Sequence, residues 1–516
     1  KCKKKIQTLK NELQSAKEQL RSLRDPKFLA DDQKKVIAKQ SSRGMTWSLQ
    51  TVKQALQMKF ACGTTGYELL RTLGYPLPST RTLLRRMQSF HFLPGILGEV
   101  FDILKRKADA MEEAERDCVL FLDEMEIAPG IEHDQSEDTF LGSVTLPKKN
   151  DDANRALVFM LGGLTSRWKQ VIAYHFTGRS LDGTLLKDFV LDLVKLSCEV
   201  GLKVLAVTSD MGASNRAMWR ELGLISTRNE DTTCSIPHPH LQGRRLYFMA
   251  DVAHLIKNIR GQLLRSEVFV LSKRTMEENG LPSARVKLEY LETALNMDKE
   301  NELKVAPGLS EIHVSQGHFT KMKVNIAIQF FREASTAIRY RVSQGQLPPE
   351  AETTAWFCEL VFGWFTLMSS RHPVVAISHF DGNKYRAAIQ KLDLAARTFR
   401  EMNMGETAHW KPSQAGLIAS TTVVYQLQEE LLNEHGYDYL LTGRMTQDCL
   451  ENLFSVIRIK KPVPSAYDFK YALRMVCVSQ FVYTPKTSGY TVDDREYLAD
   501  LFSACPRAAP QEPTPT

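Results

Sequence analysis

The sequence lacks the features that would place it in a membrane, a disulfide framework or a zinc ribbon. Its nine cysteines are scattered along 516 residues and form no CxxC pair. That usage is typical of a reducing compartment rather than of a disulfide scaffold. No run of about 20 apolar residues is present, so no transmembrane helix is predicted. The basic start has no apolar signal core and no initiator Met, which indicates a fragment or a processed chain.

The composition is that of an ordinary globular protein with enough material for several cores. Hydrophobic residues make up 43% and charged residues 25% of the chain. The length predicts roughly three or four structural units. The net charge of +7 is compatible with a polyanionic partner but does not identify one.

Residues 1–24 predict a coiled-coil dimerisation helix. Apolar residues recur there at alternating spacings of three and four, the seam of a heptad pattern. They are Ile6, Leu9, Leu13, Ala16, Leu20 and Leu23. A single amphipathic helix packed on its own domain is the alternative interpretation.

Residues 25–117 predict a helical domain of the helix-turn-helix type. A break at YPLP is followed by STRTLLRRMQSF, in which Ser79 is a candidate helix N-cap. This capped helix carries three arginines near one side: Arg81, Arg85 and Arg86. Such a helix could enter a major groove or contact phosphates. A solvated basic face on a small helical bundle explains the same residues.

From residue 118 to residue 264 the pattern changes to alternating strands and helices. The order is three strands, a helix, a strand, a helix, a strand and a helix. The strands are CVLFLDEMEI, two runs within RALVFMLGGLTSRWKQVIAYHFTG, LKVLAVTSD and RLYFMAD. Residues 128–150, between the first two strands, are polar and are predicted to form a loop.

Three acidic residues are candidates for one metal site. Asp123 ends the first strand, Asp210 ends the fourth, and Glu451 lies on the later helix TQDCLENLFSVIR. In a mixed sheet of order 3-2-1-4-5 the first and fourth strands are neighbours, so their terminal carboxylates approach each other. Carboxylate oxygens suit Mg²⁺, and paired metals support phosphoryl transfer. Asp210 could instead be a helix N-cap.

Four longer motifs extend this pattern: VLFLDEM, VTSDMGASNRAMWRELG, DVAHLIKNIR and LTGRMTQDCLENLF. In sequence and order they resemble the P element family of transposases, including vertebrate relatives with THAP domains, over roughly residues 1–485. The resemblance implies an α/β RNase H-like catalytic domain, residues 118–264 and 441–485, interrupted by a large all-α insertion, residues 265–440. Residues 486–516 then form a C-terminal tail.

The resemblance also implies a function. Asp123, Asp210 and Glu451 would be the catalytic acids of a DDE-type transposase and would hold two Mg²⁺ or Mn²⁺ ions. The enzyme would be nuclear, act as a homodimer on double-stranded DNA, and perform cut-and-paste transposition through terminal inverted repeats. The family begins with a zinc-coordinating THAP domain, which we expect to be missing here.

The family's nucleotide site is only partly matched. Lys323, Val324 and Phe365 agree with the pocket in which P element transposase holds GTP. Three other positions do not agree: Thr366 replaces the guanine-reading Asp, Ser369 replaces an Asn, and Gly308 replaces a basic phosphate contact. No GxxxxGK[ST] loop occurs, so we do not expect GTP dependence.

Residues near the three acids have less certain roles. Asp448 lies one turn before Glu451 and could support the site or cap a neighbouring helix. Asp251 and His254 follow the last strand, and His254 could reach the scissile phosphate or be a structural histidine.

Further charged residues on the same elements are also open to two interpretations. Lys257 and Arg260 could hold the DNA backbone or form a solvated face. Glu124 alternates to the opposite face from Asp123 and is predicted to be incidental, as is Glu126.

Two other functions remain as rivals to the transposase. A domesticated DNA-binding protein would keep the fold without catalysis, although the intact acidic trio argues against it. A GTP-controlled assembly factor would need a nucleotide site.

Overall fold

The structure, a computed structural model, describes residues 29–299, 304–315, 317, 320, 323–459, 461–480 and 496–498. The heptad pattern of residues 1–24 lies outside these ranges, so the coiled coil stays a prediction. The described residues form two compact units, residues 29–91 with 474–480 and residues 92–473 with 496–498. Within them, no helix combines the length and apolarity needed to cross a membrane.

The first unit is helical. Its helices are α1 (Asp31–Lys39), α2 (Leu49–Thr72) and α3 (Thr80–Met87). Helix α2 is broken at Gly63, whose φ of 75° is a left-handed conformation that favours glycine. The Ser79 hydroxyl accepts a hydrogen bond from the backbone N–H of Thr82 at 3.1 Å, which confirms the predicted N-cap of α3.

The second unit contains the long strands. Its strands are β1 (Gly95–Ile96), β2 (Asp117–Glu126), β3 (Glu132–Asp134), β4 (Thr139–Leu141), β5 (Ser143–Thr145), β6 (Lys148–Asp152), β7 (Arg155–Gly163), β8 (Trp168–Thr177), β9 (Lys203–Ser209), β10 (Ser235–Pro237), β11 (Arg245–Ala250), β12 (Val268–Val270), β13 (Arg285–Lys287), β14 (Ile377–Ser378), β15 (Tyr439–Leu440) and β16 (Glu496–Tyr497).

Helices surround these strands. They are α4 (Gly98–Asp109), α5 (Gly183–Glu199), α6 (Ala213–Glu221), α7 (Val252–Ser266), α8 (Lys273–Glu278), α9 (Leu288–Lys299), α10 (Glu311–Val314), α11 (Val324–Ser343), α12 (Ala351–Met368), α13 (Gly382–Glu401), α14 (Pro412–Glu429), α15 (Asp448–Ile457) and α16 (Ala466–Ser479), whose last residues lie in the first unit. Tighter or wider turns occur at Glu113–Arg116, Pro373–Val375, Thr442–Met445 and Glu430–Glu434.

One mixed sheet forms the centre of this unit. Its strand order is β1-β8-β7-β2-β9-β11-β10, with β16 beside β8. Strands β2, β7 and β8 pair antiparallel, whereas β9 runs parallel to both β2 and β11. The middle strands are buried at nearly every successive position, so both of their faces are covered. Strand β2 is therefore central, with β9 on one side and β7 on the other.

The segment predicted as a loop at 128–150 instead forms two short hairpins, β3–β4 and β5–β6. The first is anchored by a buried ion pair in which Lys470 Nζ lies 2.6 Å from Asp134 Oδ2. Strands of three to five residues carry too little apolar alternation to be recognised, so the sequence pattern missed them.

The region 265–440 is largely helical but not all-α. The short pairs β12–β13 and β14–β15 interrupt its helices. It belongs to the same compact unit as the sheet, and so do residues 92–117, because β1 pairs with β8.

His175 is a buried histidine on β8. Thr145 Oγ1 lies 2.9 Å from its Nδ1, its ring packs edge-on against Phe189, and its Nε2 has no hydrogen-bond partner among the described atoms. Burial lowers the pKa of His175 to about 4. The folded protein therefore holds this ring neutral.

We expect His175 to make the fold sensitive to acid. The pKa of His175 is about 4 in the folded protein and 6.5 in the unfolded chain. Between these two pH values only the unfolded chain binds a proton at His175. The free energy of unfolding should fall by about 3 kcal/mol as the pH drops from about 6.5 to about 4. Urea titrations at several pH values should show a weaker pH dependence in His175→Phe. Replacement of the exposed His240 by Phe is the control, and equal slopes in wild type and His175→Phe would contradict the prediction.

Candidate active site

Asp123 and Asp210 stand side by side at one end of the sheet. Strands β2 and β9 pair in parallel up to Phe121 opposite Thr208, and two further residues on each strand lead to the two acids. Burial raises the pKa of Asp123 well above its ordinary range, the charges of Glu451 and Asp210 raise it further, and His254 opposes them. The three predicted acids therefore lie close enough together to interact, and His254 lies among them.

Asp210 is held by the turn that follows β9. Its Oδ1 accepts hydrogen bonds from the backbone N–H of Gly212 at 2.8 Å and from Asn215 Nδ2 at 2.6 Å. A Cβ at Gly212 would lie 2.9 Å from the same oxygen, so a side chain there would disturb the carboxylate. Gly212 itself is the N-cap residue of α6, which makes the N-cap interpretation of Asp210 wrong.

Glu451 enters from the first turn of α15. It is 8% exposed, and its Oε1 lies 3.5 Å from His254 Nε2. Helix α15 contacts β2 and β7, so a residue far along the chain reaches the cluster. His254 thus faces a predicted catalytic acid directly.

Asp251 holds His254 and Gln447 in place beside the acids. Its carboxylate is 1% exposed, and its Oδ2 lies 2.8 Å from both the backbone nitrogen and Nδ1 of His254. Its Oδ1 accepts from the backbone N–H of Gln447 at 2.8 Å. Burial raises the pKa of Asp251, but the hydrogen bond and charge of His254 outweigh burial and lower it overall.

His254 carries the matching positive charge. Burial and Lys257 lower its pKa, but the hydrogen bond to Asp251 and the charges of Asp251 and Glu451 outweigh them and raise it to about 9. A protonated ring can donate from both nitrogens. It therefore offsets part of the negative charge of the cluster.

Asp448 is paired rather than acting as a cap. Its Oδ2 forms an ion pair with the Arg371 guanidinium and lies 3.2 Å from the Thr446 hydroxyl. Burial raises the pKa of Asp448 to about 6, although Arg371 works against it. This ion pair joins helix α15 to the segment after α12.

Glu124 points away from Asp123 but is not isolated. Its carboxylate bonds Arg155 on β7. Burial raises the pKa of Glu124, Arg155 lowers it, and the charge of Asp210 adds to the rise. Arg155 therefore stands near the acids, and the sequence pattern did not single it out.

The prediction that Arg260 contacts DNA is wrong. The side chain is 1% exposed, and its guanidinium donates to the carbonyl oxygens of His313 and Ser315. Its face of α7 is covered by the helical region, so the arginine anchors the chain there. Lys257 is also buried, close enough to His254 to affect that ring, and its DNA contact stays a prediction.

The arginines of α3 belong to the first unit. Arg81 and Arg85 are exposed and Arg86 is half-buried, so all three stay candidates for DNA contact.

The residues expected around a nucleotide do not suit GTP. The Thr366 hydroxyl donates to the carbonyl of Phe362, and the Ser369 hydroxyl to that of Phe365, within their own helix. A Cβ at Gly308 would lie 2.9 Å from the Glu333 carboxylate, so an acid stands where a phosphate contact was expected.

The three residues that match the family's pocket do not change this conclusion. Val324 and Phe365 are buried in the helical core, and only Lys323 is exposed.

The donor set of the acidic cluster fits a hard divalent cation. Mg²⁺ takes carboxylate ligands such as these three, together with water and phosphate oxygens. The charges of Glu451 and Asp210 both act on Asp123. Over the described ranges, no three His, Cys, Asp or Glu side chains stand preassembled as ligands of one ion.

Part of the chain matches a known domain family. The TNP-like, RNase H N-terminal domain matches residues 92–223, which include Asp123 and Asp210. Residues 92–223 are thus similar to an RNase H-like domain, in agreement with the mixed sheet that holds strands β2, β7, β8 and β9.

Two known transposases are similar in sequence to this chain. The chain is 27% identical to the Transposable element P transposase of Drosophila melanogaster over 458 residues, 87% of this chain and 56% of that protein. It is 26% identical to the human DNA transposase THAP9 over 375 residues, 68% of this chain and 39% of that protein. The chain is similar to both and spans 56% and 39% of their respective lengths.

A solved structure agrees with the fold. The protein of the Drosophila P element transposase strand transfer complex superposes with a TM-score of 0.73 at 24% identity. The match covers 90% of this chain and 98% of that chain.

We expect the ion pair between Arg371 and Asp448 to stabilise the folded protein. Arg371→Met leaves a buried carboxylate without its cation and should lower the free energy of unfolding by about 2 kcal/mol. Adding Asp448→Asn removes the stranded charge and should recover most of that loss. Urea midpoints of the single and double variants measure both effects, and losses that simply add would refute this account.

Proposed function

We propose that the chain is a DDE-type cut-and-paste DNA transposase of the P element type. It would bind terminal inverted repeats and catalyse strand cleavage and strand transfer. The observation that carries the proposal is the meeting of Asp123, Asp210 and Glu451 at one end of an RNase H-like sheet in a homologue of transposases.

The three acids would hold two Mg²⁺ or Mn²⁺ ions. Bound there, the ions would supply Lewis-acid charge for phosphoryl transfer to water or to a 3′-hydroxyl. Asp210 is pre-oriented by Gly212 and Asn215, which fixes one carboxylate oxygen. His254, held by Asp251, keeps Glu451 in place through charge.

The proposed partners are double-stranded DNA and a second copy of the chain. Arg81, Arg85 and Arg86 on α3 would contact the backbone or groove, and Lys257 and His254 would face the scissile strand. Dimerisation would use residues 1–24, and the site of action would be the nucleus.

Asp210→Asn should abolish cleavage while sparing DNA binding. Loss of one metal-binding carboxylate should lower kcat by about 10³-fold or more. A labelled transposon end with Mg²⁺ or Mn²⁺ measures cleavage and strand transfer, and a mobility shift measures binding. Asp188→Asn, at an exposed position on α5, is the matched control and should behave like wild type.

The same assay separates transposition from its main rival. An unchanged cleavage rate in Asp210→Asn would overturn the assignment of the acids. A wild-type chain that binds transposon ends but never cleaves them would favour the domesticated, catalytically silent DNA-binding protein.

GTP should not be required. The hydroxyls of Thr366 and Ser369 are committed to their own helix, and Glu333 opposes phosphate beside Gly308. Calorimetry should give no GTP binding heat, and strand transfer should be equal with and without GTP. Strand transfer that is faster with GTP but not with ATP would contradict this prediction and would support nucleotide-controlled assembly.

A further inference from the structure

Three hydrogen bonds tie residues 445–447, here the clamp segment, to the elements that carry the site. The Thr208 hydroxyl donates to the carbonyl of Met445 at 2.9 Å. The backbone N–H of Gln447 donates to Asp251 Oδ1 at 2.8 Å. The side-chain amide of Gln447 donates to the carbonyl of Leu122.

Each tie lies beside a residue of the site. Leu122 immediately precedes Asp123, Thr208 precedes Asp210 by two residues, and Asp251 precedes His254 by three. Gln447 comes about one helical turn before Glu451. The clamp segment therefore joins all the chain segments whose side chains meet there.

Gln447 makes two of the three ties and is fully buried. Its amide orientation is fixed, because a flip would set Oε1 against the carbonyl oxygen of Leu122, two acceptors face to face. Its length matters as well: with the Gln447 backbone N–H held by the Asp251 carboxylate, an Asn side chain, one methylene shorter, would not reach the carbonyl of Leu122. The backbone N–H and the side-chain N–H of Gln447 are thus both used.

We propose that Gln447 is a positioning residue that sets the separation of Glu451 from Asp123 and so determines how tightly the acids bind divalent cations. The inference rests on the proposed function, since it assumes that those acids hold the metal. Gln447 does not touch substrate in this account. It acts through the placement of α15 against the end of β2.

The test compares three variants of the full chain with wild type. Gln447→Met keeps the length and removes the donor, and Gln447→Asn keeps the amide and removes the reach. Gln414→Met is the matched control, because Gln414 is equally buried and its amide donates to the carbonyls of Phe399 and Met402 instead. Circular dichroism and thermal midpoints report folding.

Mn²⁺ binding, followed by calorimetry and electron paramagnetic resonance, is the primary readout. Gln447→Met and Gln447→Asn should weaken it about 10–100-fold, the usual effect of losing a group that orients metal ligands. With a labelled transposon end, kcat should fall while KM for DNA stays within about twofold, as for an interaction needed only in the transition state. Gln414→Met should lower the thermal midpoint but leave Mn²⁺ binding and kcat unchanged.

Wild-type Mn²⁺ affinity and kcat in a folded Gln447→Met would overturn the inference and leave the transposase assignment standing. Equal losses in Gln414→Met would also overturn it, as general destabilisation. If Gln447→Met does not fold, Gln447→Asn decides by the same criteria. A wild-type chain that neither binds Mn²⁺ nor cleaves DNA would instead refute the proposed function, and this inference with it.

Discussion

Like charges held close together at the end of one sheet are the constraint on which the rest of the site depends. Asp123 feels both Asp210 and Glu451 in surroundings that already disfavour its ionised form. The protein meets this repulsion with oriented donors at Asp210 and a protonated His254 beside Glu451. A divalent cation bound by these carboxylates, as we propose, would offset their repulsion.

The helical region also serves this end of the sheet. Arg371 forms an ion pair with Asp448, and the backbone N–H of Ser370 donates to the Thr442 hydroxyl at 2.9 Å. These two contacts connect the residues after α12 to α15 and to the turn before it. On the other side Arg260 fastens α7 to the carbonyls of residues 313 and 315. Loss of a nucleotide site there would therefore not release the region from a structural role.

The long strands could be predicted from sequence because each is a continuous apolar run, and Asp123 and Asp210 stand where two of these runs stop. Glu451, on a distant helix, has no such signal, and its catalytic role comes from the family resemblance and stays a proposal. The hairpins at 132–152 could not, since their strands are short and polar. Arg260 has the spacing of a solvated face, and only the folded chain reveals what covers it. Gln447 gave no signal either, because its partners Leu122 and Asp251 lie 325 and 196 residues away and one is a backbone carbonyl.

The late position of Glu451 has a consequence for synthesis of the protein. Strand β2, which carries Asp123, and strand β9, which Asp210 follows, are both synthesised before this glutamate, and Asp210 precedes it by about 240 residues. At roughly 5–20 residues per second, tens of seconds pass in which a nascent chain carries both aspartates and no third acid. A prematurely terminated chain would keep two aspartates without the helix that completes the cluster. Such a product would lack one of the three acids that we propose hold the metal ions.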